Sequence, residues 1–312
     1  TLKIQPNHYR ARYNLSLKQL MLCDYNNGWV NFEVRKKILS IKEELLGITN
    51  DKVWNGTDTN INLIVHSEQG IGDEILISSL FNDLKKIIKN LTISCDKRLI
   101  GIFEKNFRNI IFVDKDTFIN KDLDAKHIFS FSLGLYLRKN LSDFRQNKSR
   151  WINTNVIADQ KIELLIKKTK KLKVGISWKS VQDDKKNISL LSLYKNLPLN
   201  KFEILNLQYG DIEKEINILE NLKSEKIIFF KDIDYKNDFE SLCSIIKKCD
   251  FIITTSNVTA HFAGALGKIT YLLLPTNHLW YWGNKKNTIW YPKIKIYRQS
   301  LENGWKDPLQ KI

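Results

Sequence analysis

The chain is poor in cysteine. Cys23, Cys95, Cys243 and Cys249 are scattered and form no CxxC pair. That scarcity excludes a disulfide framework and a cysteine-based zinc site, and it fits a reducing compartment. No apolar run reaches the roughly 18–20 residues that cross a bilayer, and no secretory signal is visible. A soluble, cytoplasmic protein is therefore expected, with at most peripheral membrane contact. Acidic residues are also in deficit: 34 Asp and Glu stand against 50 Lys and Arg, a formal net charge of +16. Such a surplus attracts polyanions, whether nucleic acid, anionic headgroups or a phosphate-rich small substrate. Yet no basic block with interleaved aromatics is present. The densest run, Lys167-Lys168-Thr169-Lys170-Lys171, ends an amphipathic pattern (Ile162, Leu164, Leu165) and reads as a solvated helix face. Nucleic acid is accordingly not an expected partner. The sequence opens on Thr1 rather than Met, so an upstream portion is expected to have been removed.

What is present is enough apolar material, 43% of 312 residues, for two ordinary domains with their own cores. Residues 8–48 read as helices. Tyr13, Leu15, Leu17, Leu20 and Met21 give one apolar face, residues 24–28 read as a turn, and Trp29, Phe32 and Val34 continue the pattern. A helix–turn–helix of this length resembles the last unit of a tetratricopeptide array, which must bury its face on a neighbour. From about residue 60 short apolar runs alternate with helical patterns. Runs at 61–66, 91–95, 110–113 and 127–131 look like strands, and 160–172 reads as a helix ending that series. A second series has strand candidates at 173–178, 203–207, 226–230, 251–255 and 269–274, with helices at 212–222, 238–248 and 258–266. This βαβ rhythm predicts parallel sheets. The expected architecture is α/β: a helical segment over 1–50, Rossmann-like domains over 51–168 and 169–298 with a cleft between them, and a last helix over 299–312 packing back across both.

The most informative stretch is His66-Ser67-Glu68-Gln69-Gly70-Ile71-Gly72-Asp73-Glu74, which joins a strand to a helix through a glycine turn. Open α/β folds bind ligands at the carboxyl ends of their strands. Gly70 and Gly72 allow a sharp turn and close substrate approach. Asp73 either caps the helix or reaches into the cleft. The third glycine of a dinucleotide fingerprint is replaced by Ile75, so NAD binding is not supported. Three further strand ends complete the candidate set: Ser177-Trp178-Lys179-Ser180 with the polar loop 182–187, Gln208-Tyr209-Gly210-Asp211, and Ser256-Asn257-Val258-Thr259-Ala260-His261.

Taken in order, Trp54-Asn-Gly56, Glu68-Gln-Gly-Ile-Gly-Asp73, Val174-Gly-Ile-Ser-Trp178, Leu207-Gln-Tyr209, Ala260-His-Phe-Ala-Gly-Ala-Leu-Gly267 and Trp290-Tyr-Pro292 carry a resemblance. The chain resembles the glycosyltransferase domain that follows tetratricopeptide repeats in many bacterial proteins. That domain is similar to the heptosyltransferase (glycosyltransferase family 9) superfamily. The resemblance implies a GT-B fold, an inverting transfer, no essential metal, and a nucleotide-diphosphate sugar as co-substrate rather than a bound cofactor. It places Asp73 as general base, which suits a carboxylate that takes the acceptor hydroxyl's proton. Glu68 either positions the acceptor or tunes Asp73 by like-charge repulsion.

The donor side falls to Trp178, Lys179, Ser180, Gln208, Tyr209, Ser256, Asn257, Val258, Thr259 and His261. A helix amino end at Asn257–Thr259 favours a diphosphate, and Lys179, Lys185 or Lys186 can supply positive charge. Trp178 either stacks on a base or bridges loop and core. His261 is a donor candidate through the resemblance; by itself a lone histidine there reads as a packed core group. Gln69, Gly70, Gly72 and Trp280, the last in an aromatic stretch over 277–290, are assigned to the acceptor side or cleft wall. Relatives commonly show Asp-Thr where this chain has Ser256-Asn257. Asp232-Ile-Asp234 has the form of a metal signature but reads as a solvated turn. The leading expectation is a glycosyltransferase with a protein or glycan acceptor, for instance a surface or flagellar protein. The alternative is a non-catalytic nucleotide-sugar-binding or protein-interaction scaffold derived from one.

Overall fold

The structure, a computed structural model, describes residues 1–38, 48–120, 122, 124–144, 149–166, 169–180, 184–198, 200–221 and 227–312. Lys167, Lys168, Gln182, Asp183, Leu222 and Lys226, all parts of predicted features, lie outside them, as does 39–47 of the helical segment. The chain divides into two compact units, Thr1–Lys148 with Leu279–Asn284, and Ser149–His278 with Lys285–Ile312.

The first unit opens with α1 (Tyr9–Met21), α2 (Tyr25–Phe32) and α3 (Arg35–Ile38). The predicted turn over 24–28 is mostly helix. Asp24 stands just before α2 and accepts from the Asn27 side chain at 3.0 and 3.1 Å, so the polar trio after it is drawn into the first turn. The reversal falls instead at Cys23, which has φ of 66°. Leu20, Tyr25, Trp29 and Phe32 are buried, and the pair packs on its own unit. Gly134 permits this: a Cβ there would lie 2.3 Å from a Trp29 ring carbon. The sequence then runs β1 (Asn62–His66), α4 (Ile71–Ser78), α5 (Phe81–Ile87), β2 (Asn90–Cys95), α6 (Lys97–Asn106), β3 (Ile111–Asp114), β4 (Lys126–Phe129) and α7 (Leu133–Leu137). The strands form one parallel sheet ordered β3-β2-β1-β4. Alternation sends Leu63, Val65, Leu91, Ile93, Cys95 and Phe112 to one buried face. There Phe112 meets the rings of Phe81, Phe103 and Phe107 at 5.5–6.2 Å.

The second unit holds α8 (Val156–Leu165), β5 (Leu172–Ser177), α9 (Leu190–Lys195), β6 (Phe202–Asn206), α10 (Glu213–Asn221), α11 (Phe239–Lys248), β7 (Phe251–Thr255), α12 (Val258–Ala265), β8 (Thr270–Leu274), β9 (Ile294–Arg298) and α13 (Lys306–Leu309). Its sheet is again parallel, ordered β6-β5-β7-β8-β9. The strand predicted at 226–230 appears as a single bridge from Ile228 to Leu205 on the outer edge. Counting it, the order is that of a doubly wound nucleotide fold, 3-2-1-4-5-6. β9 has no counterpart among the predicted strands. The helix expected to close the first series, α8, stands with the second unit. Its Asp159 and Glu163 pair with Lys247 and Lys248 of α11, a partnership that amphipathicity alone cannot show. At the end of the chain helix is confined to α13, and Leu309 joins the second unit's apolar cluster with Val174, Ile176 and Leu273.

Candidate functional site

Each sheet has a point where strand order reverses, between β1 and β4 in the first unit and between β5 and β7 in the second. Ligand crevices of open α/β sheets form outside the carboxyl ends of strands at such points. The singled-out strand ends sit at or beside them.

In the first unit, β1 delivers Ser67, Glu68 and Gln69 into a turn that ends at Gly70, and α4 begins at Ile71. Asp73 lies in the first helical turn, half-buried. Its Oδ2 accepts from the Gly70 N–H at 3.2 Å, while the Asp73 N–H donates to the Gly70 carbonyl at 3.0 Å. This reciprocal pair holds the carboxylate at a helix amino end, where the dipole favours negative charge. Glu68 is committed more heavily. Arg35 of α3 donates to it through Nε at 2.7 Å and Nη2 at 2.8 Å, and the Phe131 N–H donates to Oε1 at 2.9 Å. Both side chains are at most 1% exposed. Arg35 also donates to Glu33 Oε1 at 2.8 Å and Ser132 Oγ at 2.9 Å, and Ser132 donates to Glu33 at 2.7 Å. Glu33's carboxyl is held below the ordinary range: burial opposes ionisation, but Arg35 and Lys36 outweigh it. The Tyr13 phenol of α1 joins the group electrostatically. Burial raises its pKa, the Arg35 charge opposes that, and the Glu68 and Asp73 charges add to it.

Beside the turn, His66 Nε2 and His127 Nδ1 lie 2.9 Å apart, both buried. Burial, reinforced by His127, pushes the His66 pKa down to about 4. The pair is thus neutral near pH 7, one ring donating and the other accepting.

In the second unit three strand ends are knitted by neutral side chains. Gln208, after β6, accepts at Oε1 from Ser177 Oγ (3.0 Å), Trp178 N (2.8 Å) and Lys179 N (2.9 Å). Its Nε2 donates to the Tyr209 carbonyl at 2.9 Å. Asn257, after β7, donates to Ser177 Oγ at 2.7 Å and the Lys179 carbonyl at 3.1 Å. Asn257 Oδ1 also caps α12 by accepting from Thr259 N at 3.0 Å. Ser180 N donates to Asn187 at 2.7 Å. Lys179 extends to Glu215 Oε1 at 2.8 Å and the Asp211 carbonyl at 2.6 Å. Ser256 is buried, while Val258 and Tyr209 are half-buried.

The structure gives several predicted residues definite surroundings. Trp178 is 1% exposed within the second unit's core. Trp280 is buried against Trp29, Phe32 and Phe131, with ring centroids 5.3–5.9 Å apart. Thr259 Oγ1 points to the Leu207 carbonyl at 3.5 Å. His261 Nδ1 meets the Tyr291 hydroxyl at 2.8 Å, and burial, with Lys186 contributing, pushes its pKa down to about 3. Gln69 and Gly72 are half-buried and Gly70 exposed, all in the carboxylate turn. Asp234 folds onto its own loop, accepting from Lys236 N and from Asn237. Among the described residues, no group of three or more His, Cys, Asp or Glu side chains is placed to hold a metal. Sequence reasoning missed Arg35 and Glu215. Arg35 reads there as one basic residue among many; only its fixed place after the buried Phe32 hints at an inward position.

No protein-family model matches the chain. Among solved structures it is similar to a glycosyltransferase family 9 protein from Veillonella parvula DSM 2008. The TM-score is 0.55 at 14% identity, covering 79% of this chain and 88% of that one. It is also similar to the E. coli ADP-heptose lipopolysaccharide heptosyltransferase II, with a TM-score of 0.50 at 9% identity, covering 78% and 92%. The fold is thus that of GT-B, glycosyltransferase family 9 proteins. A curated relative, Protein FlbA of Caulobacter vibrioides, is 24% identical over 285 residues, 83% of this chain and 47% of its own length. The chain spans about half the length of that relative.

Proposed function

We propose that the protein is a glycosyltransferase that moves a sugar from a nucleotide-diphosphate donor to a hydroxyl of a protein or glycan acceptor, without an essential metal. The observation that carries this reading is that, on a family 9 fold, one unit holds a carboxylate at its switch point and the other a polar cradle at its own. Asp73 acts as general base. The Gly70 N–H orients one carboxylate oxygen, and the carboxylate takes the acceptor proton as positive charge grows on the anomeric carbon. Glu68, bound by Arg35 and Phe131 N, serves as support for that turn. In the second unit the α12 amino end and Lys179 meet the diphosphate, and Gln208 and Asn257 fix the loops that carry them. Gln69, Gly70 and Gly72 shape the acceptor side. The E. coli neighbour is named for ADP-heptose, which makes ADP sugars the first donors to try.

A second reading, a non-catalytic sugar-nucleotide-binding scaffold, is favoured by how far the cradle is satisfied internally. Thr259 N is already capped by Asn257, and Lys179 is held by Glu215. Thermal-shift titration with ADP, UDP, GDP and their sugars, followed by donor turnover with and without EDTA, separates the two. Donor turnover that survives EDTA and disappears in Asp73→Ala supports the transferase. Binding with no turnover in the native chain supports the scaffold.

A further inference from the structure

The helical segment supplies the most deeply buried charged side chain among the described residues of the first unit. Arg35 is 0% exposed. All five of its N–H groups have acceptors: Nε on Glu68, Nη1 on Glu33 and the Phe32 carbonyl, Nη2 on Glu68 and Ser132. The guanidinium also lies over the Phe32 ring, 4.8 Å from its centroid. Three elements meet in this one side chain: α3, the turn after β1, and the 3-10 turn after β4 that carries Phe131 and Ser132. These two strand ends flank the switch point of the sheet.

We infer that Arg35 is a positioning residue for the candidate carboxylate turn, so that α1–α3 form a working part of this half-site rather than a detachable module. The physical argument concerns direction more than stability. A buried ion pair contributes little net stability relative to an apolar pair of similar volume, because desolvation offsets attraction. What a planar fork supplies is orientation: two parallel bonds fix a carboxylate in plane and angle, which a lysine cannot do. Here the fixed carboxylate is Glu68, and the chain that leaves it passes directly into Gly70 and Asp73. A rigid Glu68 thereby sets where α4 begins and where Asp73 points. Tyr13 of α1 stacks on the Phe32 ring at 5.7 Å, the same ring that the Arg35 guanidinium covers.

This inference rests on the reading that Asp73 is the reacting group, and its test keeps the two apart. In the full chain, Arg35→Met is combined with Glu68→Met, an apolar pair that leaves neither partner as an unmatched buried charge, and Arg35→Lys is made separately. The double variant is expected to melt well above Arg35→Met alone and moderately below the native chain, because the Phe131 N–H and Glu33 each still lose one partner. Despite its partly recovered stability, the double variant should show about tenfold faster amide hydrogen exchange at residues 70–74, the loss of a local constraint. Its donor turnover should fall about 100-fold with donor KM nearly unchanged, as for ångström-scale misplacement. Arg35→Lys should show the same two changes more weakly. Native exchange and native turnover in the double variant would overturn the positioning role. Should the double variant not fold, native exchange in Arg35→Lys would overturn it equally. A native chain that turns over no donor removes the Asp73 reading alone, and the exchange measurement still decides on Arg35.

Discussion

The two switch points solve the same problem with opposite materials. In the first unit the turn after β1 is fixed by charge, an arginine fork on a carboxylate with a second carboxylate and a serine closing the ring. In the second, the loops after β5, β6 and β7 are fixed by neutral amides and a hydroxyl. On the proposed reading, in which Asp73 is the reacting carboxylate, a charged lock suits the first unit, since Arg35 offsets Glu68 and spares Asp73 a second negative neighbour. On the same reading the neutral lock itself adds no negative charge where a diphosphate would approach, and the one carboxylate there, Glu215, is paired with Lys179.

The comparison breaks most sharply at the first unit's turn. Asp73→Asn is expected to lower turnover by about 10²–10⁴ with donor binding preserved, read by steady-state kinetics beside calorimetric donor titration. Arg35→Met should destabilise the first unit by about 3–5 kcal/mol, because Glu68 is left buried without its cation. Urea denaturation followed by first-unit tryptophan fluorescence measures this. Gln208→Leu in the neutral lock should cost less, about 1–3 kcal/mol for the N–H donors left unsatisfied, and should raise donor KM rather than lower kcat.

Acid separates the units further. His66 and His261 have native pKa values near 4 and 3, below an unfolded value near 6.5. Each is buried neutral, so its stabilising effect is complete above pH 6.5 and is lost as pH falls toward the native value. For His66 the loss is on the order of 3 kcal/mol. His66→Phe should therefore flatten the acid limb of stability between about pH 6.5 and 4, measured by melting temperature against pH. The smallest effect is expected at the exposed loop: Asp234→Ala should cost under about 1 kcal/mol and leave turnover unchanged with or without EDTA.

Much of this was legible in the chain. The alternation of apolar runs and helical patterns placed β1 through β8 nearly to the residue, because strands buried on both faces need continuous apolar stretches. The glycine turn marked its own strand end, and Ser177, Gln208 and Asn257 were visible as polar residues at or just past the ends of other strands. What misled was partnership. α8 carries an amphipathic face, but a face does not say which neighbour covers it. Trp280 reads in the sequence as a cleft wall and Trp178 as either a base platform or core, and both are buried. Glu68 stood out as a carboxylate beside Asp73, while the arginine that engages it lies 33 positions earlier in a helix that announced only its apolar stripe.

Apart from β9, the helix at 25–32 and the reduction of 226–230 to one bridge, the sequence by itself determined the main elements, their parallel pairing and the strand ends at which ligand chemistry can gather, since periodicity and turn residues are local properties. Tertiary structure alone decided which carboxylate is engaged by a buried guanidinium and which loops share one glutamine oxygen. Hydrogen-bond geometry and desolvation act between groups far apart in the chain, and no local pattern records them.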